Sequence, residues 1–316
     1  MAKVNTAVIG CGSWGTQHAR VYSELESTEL VAVCDVDRAR AAVLAERYGV
    51  DAYTGYEGLL RRHDIDAVSV CTPTITHAEV ALRSIESGKH VLIEKPMTNL
   101  LSEAEAVIKA AEKAGVKLMV GFVERFNPAV QKTMELVRDG EIGSVILAHA
   151  RRVSRRPDRV GDVGIVKDLA IHDIDVVCQL FGEPVVEVYA IAGSIAHVFE
   201  DYAGIIFKFD GSRSAFVETN WLTPRKVRRL IVTGTEGLIE VDYITQQVSI
   251  QKQDEVTESH LQDGEPLKIE LESFATSIMN DEPPSPSGEE GLRVLTLCEA
   301  ALRSAKIGRP VGMGDM

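Results

Sequence analysis

The chain has 316 residues, a formal net charge of −13 and 45% hydrophobic residues, which is enough length and apolar content for two domains. The acidic balance argues against a general nucleic-acid or anionic-membrane surface, because either would need a basic footprint. Without a bilayer-spanning apolar run or an N-terminal signal segment, we expect a cytoplasmic protein. The five cysteines are scattered without a C-x-x-C pair, so we expect reduced core cysteines and no metal site.

The beginning of the chain predicts a dinucleotide-binding unit. An apolar run, Val4–Ile9, predicts a buried strand, and G-C-G-S-W-G at residues 10–15 follows it directly. In this G-x-G-x-x-G pattern Gly10 allows a tight turn, Gly12 allows a pyrophosphate to approach, and Gly15 allows the helix to pack closely on the strand. The N–H groups at the start of that helix, at Ser13 and Trp14, would face the phosphates.

Asp35 indicates which dinucleotide binds. It ends a second apolar run, residues 30–34, and lies twenty residues past Gly15. A carboxylate there accepts hydrogen bonds from the ribose hydroxyls and repels a 2′-phosphate, which favours NAD over NADP. Arg38 lies close enough to bind a 2′-phosphate, so NADP remains the less favoured cofactor. The alternative is a doubly wound domain whose glycines serve packing alone, and Asp35 disfavours it.

Strand and helix patterns alternate through the first third of the chain, which predicts an α/β, doubly wound parallel sheet with helices on both faces. The pattern predicts helices at 37–48, 76–87 and 102–114, the last capped by Ser102, and strands at 67–71, 90–93 and 117–121. Because the alternation stops near residue 121, we expect a Rossmann domain over residues 1–122 and a second domain over 123–316.

Strand patterns dominate the second domain. After a helix at 128–139, short turns join predicted strands at 145–153, 185–192, 204–209, 214–221, 226–233, 238–242 and 247–251. This succession predicts an α+β domain with a largely antiparallel, open-faced sheet, whose exposed face is the candidate surface for a homodimer or homotetramer. Residues 254–266 are predicted as a loop, and the final helix, 289–306, could pack back on the first domain.

Polar side chains follow two predicted strands of the first domain at their carboxyl ends, where doubly wound sheets bind ligands. Thr72 and Pro73 come after one strand, and Glu94-Lys95-Pro96 comes after the next. A lysine directly after a buried strand is unusual, because its ammonium needs water or a partner. Lys95 is therefore a candidate proton relay for a substrate hydroxyl, and pairing with Glu94 at a strand end is the structural alternative.

Four motifs together resemble the glucose-fructose oxidoreductase and inositol dehydrogenase family (Gfo/Idh/MocA): G-C-G-S-W-G at 10–15, T-P-x-x-x-H at 72–77, G-K-H-V-L-I-E-K-P at 88–96 and D-x-x-x-H at 168–172. The resemblance covers nearly the whole chain and implies a Rossmann domain followed by a mostly antiparallel open sheet. It implies Lys95 and His172 as catalytic residues, Asp168 in the sugar pocket and a cis Lys95–Pro96 bond. The implied cofactor contacts are Gly10, Gly12, Gly15, Asp35, Thr72, Pro73, His77 and Glu94.

The chemistry requires these residue types. Oxidation of a secondary alcohol needs a base for the hydroxyl proton while hydride leaves for the nicotinamide, and histidine titrates in the right range. Asp168 and His172 are four residues apart, so they would share one face of a helix. We expect His172 to be the base, Lys95 the relay and Asp168 the residue that orients the substrate or the base. Taken without the family, His172 is more readily a structural histidine.

Arginines are dense just before that block, with five in the nine residues from Arg151 to Arg159. In an acidic chain this density favours an anionic substrate, because a guanidinium binds phosphate oxygens bidentately. We expect Arg152, Arg155 and Arg156 to bind substrate. A second basic run, residues 225–229, either adds to this site or is a solvated face.

A diphosphate-linked sugar suits these arginines better than a neutral polyol does. Residues 151–175 also resemble the family branch that oxidises UDP-N-acetylglucosamine at C3, which implies that the arginines bind the diphosphate while Lys95, Asp168 and His172 address the sugar ring. Two alternatives remain open: an inositol or free-sugar dehydrogenase, and a non-catalytic NAD-bound sensor. The presence of both Lys95 and His172 disfavours the sensor.

Overall fold

The computed structural model describes residues 3–156, 161–253, 255–259, 261 and 264–316. The chain forms two compact units: the first runs to Phe122 and also includes Leu267–Arg293, and the second comprises Val123–Pro266 and Val294–Met316. The predicted division placed residues 267–293 in the second domain, whereas they belong to the first unit. In the part of the chain that is described, no helix combines the length and apolarity needed to cross a bilayer. Localisation in the cytoplasm stays a prediction.

The first unit is built on a parallel sheet. In the described residues its strands follow the order β3-β2-β1-β4-β5-β6, and this confirms the predicted doubly wound sheet. The central strands are mostly apolar and buried on both faces, as parallel strands covered by helices require. The elements are β1 (Val4–Ile9), α1 (Ser13–Glu24), β2 (Thr28–Cys34), α2 (Arg38–Tyr48), β3 (Asp51–Tyr53), α3 (Tyr56–Leu60), β4 (Ala67–Val70), α4 (His77–Glu86), β5 (His90–Glu94), α5 (Leu101–Ala114) and β6 (Leu118–Gly121).

Local chemistry determines where these helices begin. Asp37 caps α2, since its carboxylate accepts hydrogen bonds from the N–H groups of Ala39 and Arg40. The predicted cap at Ser102 is wrong. Helix α5 begins at Leu101, because the Glu103 carboxylate reaches back and accepts a hydrogen bond from the N–H of Leu100 at 3.0 Å.

The second unit contains a mixed sheet. Among the described residues its order is β14-β13-β12-β11-β7-β10-β9-β8-β15, and the pairs are antiparallel except β7 with β10. The prediction of a largely antiparallel sheet is confirmed. Its elements are α6 (Pro128–Arg138), β7 (Val145–Arg155), α7 (Ile171–Phe181), β8 (Val185–Gly193), β9 (Tyr202–Phe209), β10 (Ser214–Asn220), β11 (Leu222–Gly234), β12 (Leu238–Asp242), β13 (Gln247–Lys252), β14 (Glu255–Ser259) and β15 (Val311–Gly312). Two more helices follow β14 in the chain: α8 (Pro266–Met279), which lies in the first unit from Leu267 onward, and α9 (Gly288–Ile307), which is divided between the two units.

The region after β13 differs most from the prediction. Residues 255–259 form strand β14 at the sheet edge, where a loop was predicted, while Asp254, His260, Gln262 and Asp263 lie outside the described residues. Helix α8, which the sequence pattern did not predict, packs with the first unit, and Glu272 accepts a hydrogen bond from Ser27 at 2.6 Å. Helix α9 contributes Gly288–Arg293 to the first unit and its remaining residues to the second.

Candidate active site

The glycine-rich turn between β1 and α1 has the geometry of a phosphate cradle. Gly10 has φ of +99°, and a Cβ there would lie 2.6 Å from the carbonyl carbon of Cys71. A Cβ on Gly15 would collide with the carbonyl oxygen of Gly10, so both positions require glycine. A Cβ on Gly12 would meet no described atom within 4 Å. The turn therefore leaves beside Gly12 the space that a pyrophosphate needs.

The carboxylate of Asp35 is fixed at the end of β2. Its Oδ2 accepts a hydrogen bond from the N–H of Cys11 at 2.7 Å, and its Oδ1 accepts one from the N–H of Asp37 at 2.8 Å. The acid thus lies beside the glycine-rich turn. Gly12, the N-cap residue of α1, offers no side-chain oxygen to the first-turn N–H groups at Ser13 and Trp14, which suits a phosphate. The glycine-rich turn and Asp35 therefore fit a dinucleotide. Arg38, another predicted cofactor contact, lies exposed at the start of α2.

His77, a predicted cofactor contact, is buried, and each of its ring nitrogens lies close to a backbone oxygen. Its Nδ1 lies 2.9 Å from the carbonyl oxygen of Pro96, and its Nε2 lies 2.9 Å from that of Thr72. His77 thus contacts the loop after β4 and the loop after β5 through its two ring nitrogens. Pro73 is exposed, and the Thr72 hydroxyl accepts a hydrogen bond from that of Thr76. Thr72 and Pro73 remain candidate cofactor contacts.

The carboxylate of Glu94, another predicted cofactor contact, has partners within the protein. It is buried, its Oε1 lies 2.9 Å from Nε2 of His18, and its Oε2 accepts a hydrogen bond from the backbone N–H of Lys95 at 3.2 Å. The Lys95–Pro96 peptide bond is cis, which confirms the expectation from the family. Lys95 itself is half-buried.

The sequence interpretation missed His18. The signal was its position three residues after Gly15, on the α1 face that also buries Ala19 and Tyr22. A histidine on a buried helix face needs polar partners, so it could have been expected to bond a polar group of the neighbouring sheet.

Asp168 and His172 lie on continuous helical backbone in the second unit. Asp168 belongs to a π-helical turn, Val166–Ala170, which leads directly into α7, and buried His172 lies in the first turn of α7. The expectation of one α-helical face is corrected, because a π-turn changes the angular spacing; such turns are frequent at functional sites. Glu200 fixes the start of this turn by accepting hydrogen bonds from the N–H groups of Ile165 and Val166.

Arg152, a predicted substrate contact, is held by carboxylates of the protein itself. Its side chain is 1% exposed, and its guanidinium bonds Asp173 bidentately, at 2.8 and 3.0 Å, and Glu124 at 2.7 Å. The Tyr243 ring lies 5.1 Å from the guanidinium carbon. Burial alone would raise the pKa of Glu124, but Arg152 and Arg228 outweigh it and lower that pKa, so the carboxylate stays ionised. We call Arg152, Glu124, Asp173 and Tyr243 the buried arginine cluster.

A cavity of about 370 Å³ adjoins this cluster. Its lining includes Arg152 of the cluster together with Arg155, Lys226, Arg228 and Leu169. We call it the cationic cavity. Burial, and then Arg228, lower the pKa of Lys226; burial, and then Arg152, lower the pKa of Arg228. The Asp168 carboxylate acts in the other direction and favours a higher pKa for Arg228. Asp168 therefore lies within electrostatic range of the cavity. An anion in the cavity would relieve the repulsion among these cations.

The other arginines of the dense segment have different partners. Arg156 donates a hydrogen bond to the carbonyl oxygen of Ala196 at 2.6 Å, and Arg151 pairs with Glu218 at 3.0 Å. Arg159 lies outside the described residues. Of the three arginines predicted to bind substrate, Arg152 and Arg155 line the cationic cavity, and Arg155 is the exposed one of the two. In the described residues, no group of three His, Cys, Asp or Glu side chains could hold a metal ion.

A doubly wound sheet with this glycine-rich turn and acid, followed by a mixed open sheet, defines a two-unit, dinucleotide-dependent oxidoreductase. Residues 4–122 match the model of an oxidoreductase family with an NAD-binding Rossmann fold, and residues 130–240 match that of the GFO/IDH/MocA C-terminal domain. The chain belongs to the Gfo/Idh/MocA family of oxidoreductases, and its first unit contains the family's NAD-binding domain.

Relatives with two kinds of substrate resemble this chain. It is 31% identical to inositol 2-dehydrogenase of Rhizobium meliloti, over 98% of this chain and 99% of the relative. It is 29% identical to UDP-N-acetylglucosamine 3-dehydrogenase of Acidithiobacillus ferrooxidans, over 93% and 95%. A solved structure of UDP-N-acetylglucosamine 3-dehydrogenase from that organism superposes with a TM-score of 0.90 at 28% identity, over 97% of this chain and 99% of that one.

Proposed function

We propose that the protein oxidises a secondary hydroxyl of an anionic sugar, and that the substrate is a nucleotide sugar such as UDP-N-acetylglucosamine, oxidised at C3. The observation that carries the proposal is the cationic cavity. Arg155, Lys226 and Arg228 line it together with Leu169, the chain neighbour of Asp168. A diphosphate would bond these cations and relieve their repulsion, whereas a neutral polyol would do neither.

We assign the chemistry to Lys95, Asp168 and His172. The His172 imidazole accepts the proton of the substrate hydroxyl, and the Lys95 ammonium donates a hydrogen bond to the oxygen that loses it. Asp168 orients the sugar through hydrogen bonds from its hydroxyls. NAD, held by the glycine-rich turn and Asp35, supplies the hydride acceptor when it is bound. The buried arginine cluster supports this assignment, because Arg152 holds Asp173, the residue next to His172.

One alternative keeps the same chemistry and changes the substrate. The relative named inositol 2-dehydrogenase, at 31% identity, favours a neutral polyol. Under that alternative the cations of the cavity would be paired by the protein's own acids, and substitution of Arg155 would leave the KM for the polyol unchanged. A non-catalytic NAD-bound sensor would bind NAD and turn over no sugar.

The test is single-turnover NADH formation, followed by absorbance, with UDP-N-acetylglucosamine, its uronic acid, myo-inositol and glucose in parallel. We expect a signal with a UDP-sugar that falls by about 10²- to 10⁴-fold in Lys95→Ala and His172→Ala, the range expected for loss of a general acid or base. Arg155→Met should raise the KM for the UDP-sugar, while Arg138→Met, an exposed arginine at the end of α6, should not. A signal with myo-inositol alone would overturn the anionic substrate, and NAD binding without turnover would favour the sensor.

We also propose that the outer face of the second sheet mediates self-association into a homodimer or homotetramer. Ile191 on β8 is 59% exposed and Phe216 on β10 is 41% exposed, and the Phe216 ring packs edge-on against His149 of β7. An exposed apolar sheet face of this kind is typical of an interface between subunits. Light scattering coupled to gel filtration should give the mass of an oligomer for the parent protein and a lower mass for Phe216→Glu; a monomeric parent would contradict the proposal.

A further inference from the structure

A chain of buried side-chain hydrogen bonds lies beneath the E-K-P segment in the first unit. The His18 ring is fully buried, with Nδ1 3.1 Å from the Ser69 hydroxyl and Nε2 2.9 Å from Oε1 of Glu94. The Ser69 hydroxyl also lies 2.8 Å from the Tyr22 hydroxyl. At the other end of the chain, Oε2 of Glu94 accepts the backbone N–H of Lys95. Helix α1, strand β4 and strand β5 are thus linked to the backbone of Lys95.

One direction of donation satisfies every group in this chain. The Tyr22 hydroxyl donates to Ser69, the Ser69 hydroxyl donates to Nδ1 of His18, and Nε2–H of His18 donates to Glu94. The Glu94 carboxylate then accepts from His18 on one oxygen and from Lys95 on the other. Because a buried carboxyl group needs hydrogen-bond partners, the contact with His18 holds the Glu94 side chain in place.

Tight packing gives Glu94 little freedom beyond these bonds. A Cβ on Gly121, the neighbour of Glu94 across β5 and β6, would lie 3.0 Å from Oε1 of Glu94. On the far side of Lys95, His77 bonds the carbonyl oxygen of Pro96. Two buried histidines therefore hold the Lys95 backbone, one on each side. His18 acts through Glu94, and His77 acts through Pro96.

We infer that His18 is a positioning residue for Lys95, acting through the Glu94 carboxylate. It contacts neither the substrate nor the reacting atoms; it fixes the backbone from which the Lys95 side chain extends. Its catalytic consequence rests on the proposed dehydrogenase function. Loss of the contact between His18 and Glu94 releases the backbone N–H of Lys95, and a misplacement of the lysine of about 1 Å costs on the order of 10²-fold in rate.

Replacing His18 with glutamine or with asparagine distinguishes the roles of its two ring nitrogens. In His18→Gln the side-chain amide reaches the position of Nε2 and keeps a donor for Glu94, whereas in His18→Asn it reaches only Nδ1 and keeps the bond to Ser69. We expect kcat to fall about 10- to 100-fold in His18→Asn, with KM for NAD unchanged, and to recover to within about threefold in His18→Gln. Ser84→Ala, which removes a buried hydroxyl bonded to Val80 in the same unit, controls for a general loss of stability.

Amide hydrogen exchange tests the positioning without any substrate. We expect the Lys95 amide to exchange about tenfold faster in His18→Asn than in the parent or in His18→Gln, the effect of losing one charge-assisted hydrogen bond. The Val91 amide, which bonds the carbonyl oxygen of Lys117, should not change and serves as the internal control. If His18→Asn fails to fold, Ser69→Ala gives a smaller effect in the same direction, because it removes the group that orients the His18 ring.

Unchanged exchange at Lys95 in His18→Asn and Ser69→Ala would overturn the inference, whatever the activity. Faster exchange with an unchanged kcat would also overturn it, since the backbone would then be mobile without consequence. If the parent protein oxidises none of the sugars while exchange at Lys95 still depends on His18, the proposed function fails and the positioning of Lys95 stands.

Discussion

The buried arginine cluster and the cationic cavity lie side by side, yet arginine side chains differ between them in burial and in ion pairing. Arg152 and Arg155 are three residues apart on β7. Both line the cavity, but Arg152 is 1% exposed and bonds two carboxylates, whereas Arg155 is exposed. Arg228 on β11 belongs to both regions, because it pairs with Glu124 at 2.9 Å and also lines the cavity.

The difference shows that acids remote in sequence decide what an arginine does. Glu124 precedes β7 by more than twenty residues and Asp173 follows it on α7, and together they accept hydrogen bonds from all three guanidinium nitrogens of Arg152. Arg155 lies at the end of β7, beyond their reach. The density of arginines thus indicates an anion-binding region, while burial and pairing select which cations are presented to the anion.

Removing Arg152 should have the largest effect on stability. Arg152→Met leaves Glu124 and Asp173 buried without their shared cation, and breaking a buried ion pair costs about 3–5 kcal/mol. Arg155→Met removes an exposed side chain and should change the free energy of unfolding by less than about 0.5 kcal/mol. Urea denaturation of both variants measures the contrast. Equal losses would show that the buried arginine cluster contributes no more than a surface residue.

Arg228→Met should affect substrate binding more than stability, because Arg152 still compensates Glu124. We expect the KM for a UDP-sugar to rise about tenfold, the effect of one charge-assisted hydrogen bond, with the KM for NAD unchanged. Arg229→Met is the matched control, since Arg229 is the next residue on β11 and pairs instead with Asp242. A larger effect from Arg229 than from Arg228 would place the anion outside the cationic cavity.

The fold followed from local patterns that the structure preserves. Short, mostly apolar strands such as β1 and β4, and the alternation of strand and helix, specified the doubly wound sheet, because each signal lies within a few residues. The glycines at 10, 12 and 15 required only a strand before them and a helix after them. Helix α8 escaped prediction because its burial depends on the first unit, which is formed by residues more than a hundred positions earlier.

The candidate site was less predictable, because its polar contacts are long-range. His77 and Glu94 belong to the family motifs, yet their side chains bond Thr72, Pro96 and His18, and no spacing rule gives those partners. Lys226 lay in a basic run that could equally have been a solvated face. Its position on the cationic cavity depends on the pairing of β11 with β7, which sequence periodicity does not specify.

The smallest expected effect is a pH dependence that separates the cavity's lysine from its arginines. Burial and Arg228 lower the pKa of Lys226 from its ordinary value of 10.5, and a bound phosphate would raise it again. Between those two values the free protein has lost the proton that the complex retains, so substrate binding weakens as the pH rises through that window. In Lys226→Arg the charge persists, because arginine does not deprotonate in this range. We therefore expect the KM of the parent protein for the UDP-sugar to rise on the order of two- to fivefold from neutral to alkaline pH, a small change because an exposed ion pair contributes little. In Lys226→Arg we expect the KM to stay constant over the same range. Steady-state KM measured across that range for both proteins decides it, and parallel profiles would show that Lys226 does not bind the anion.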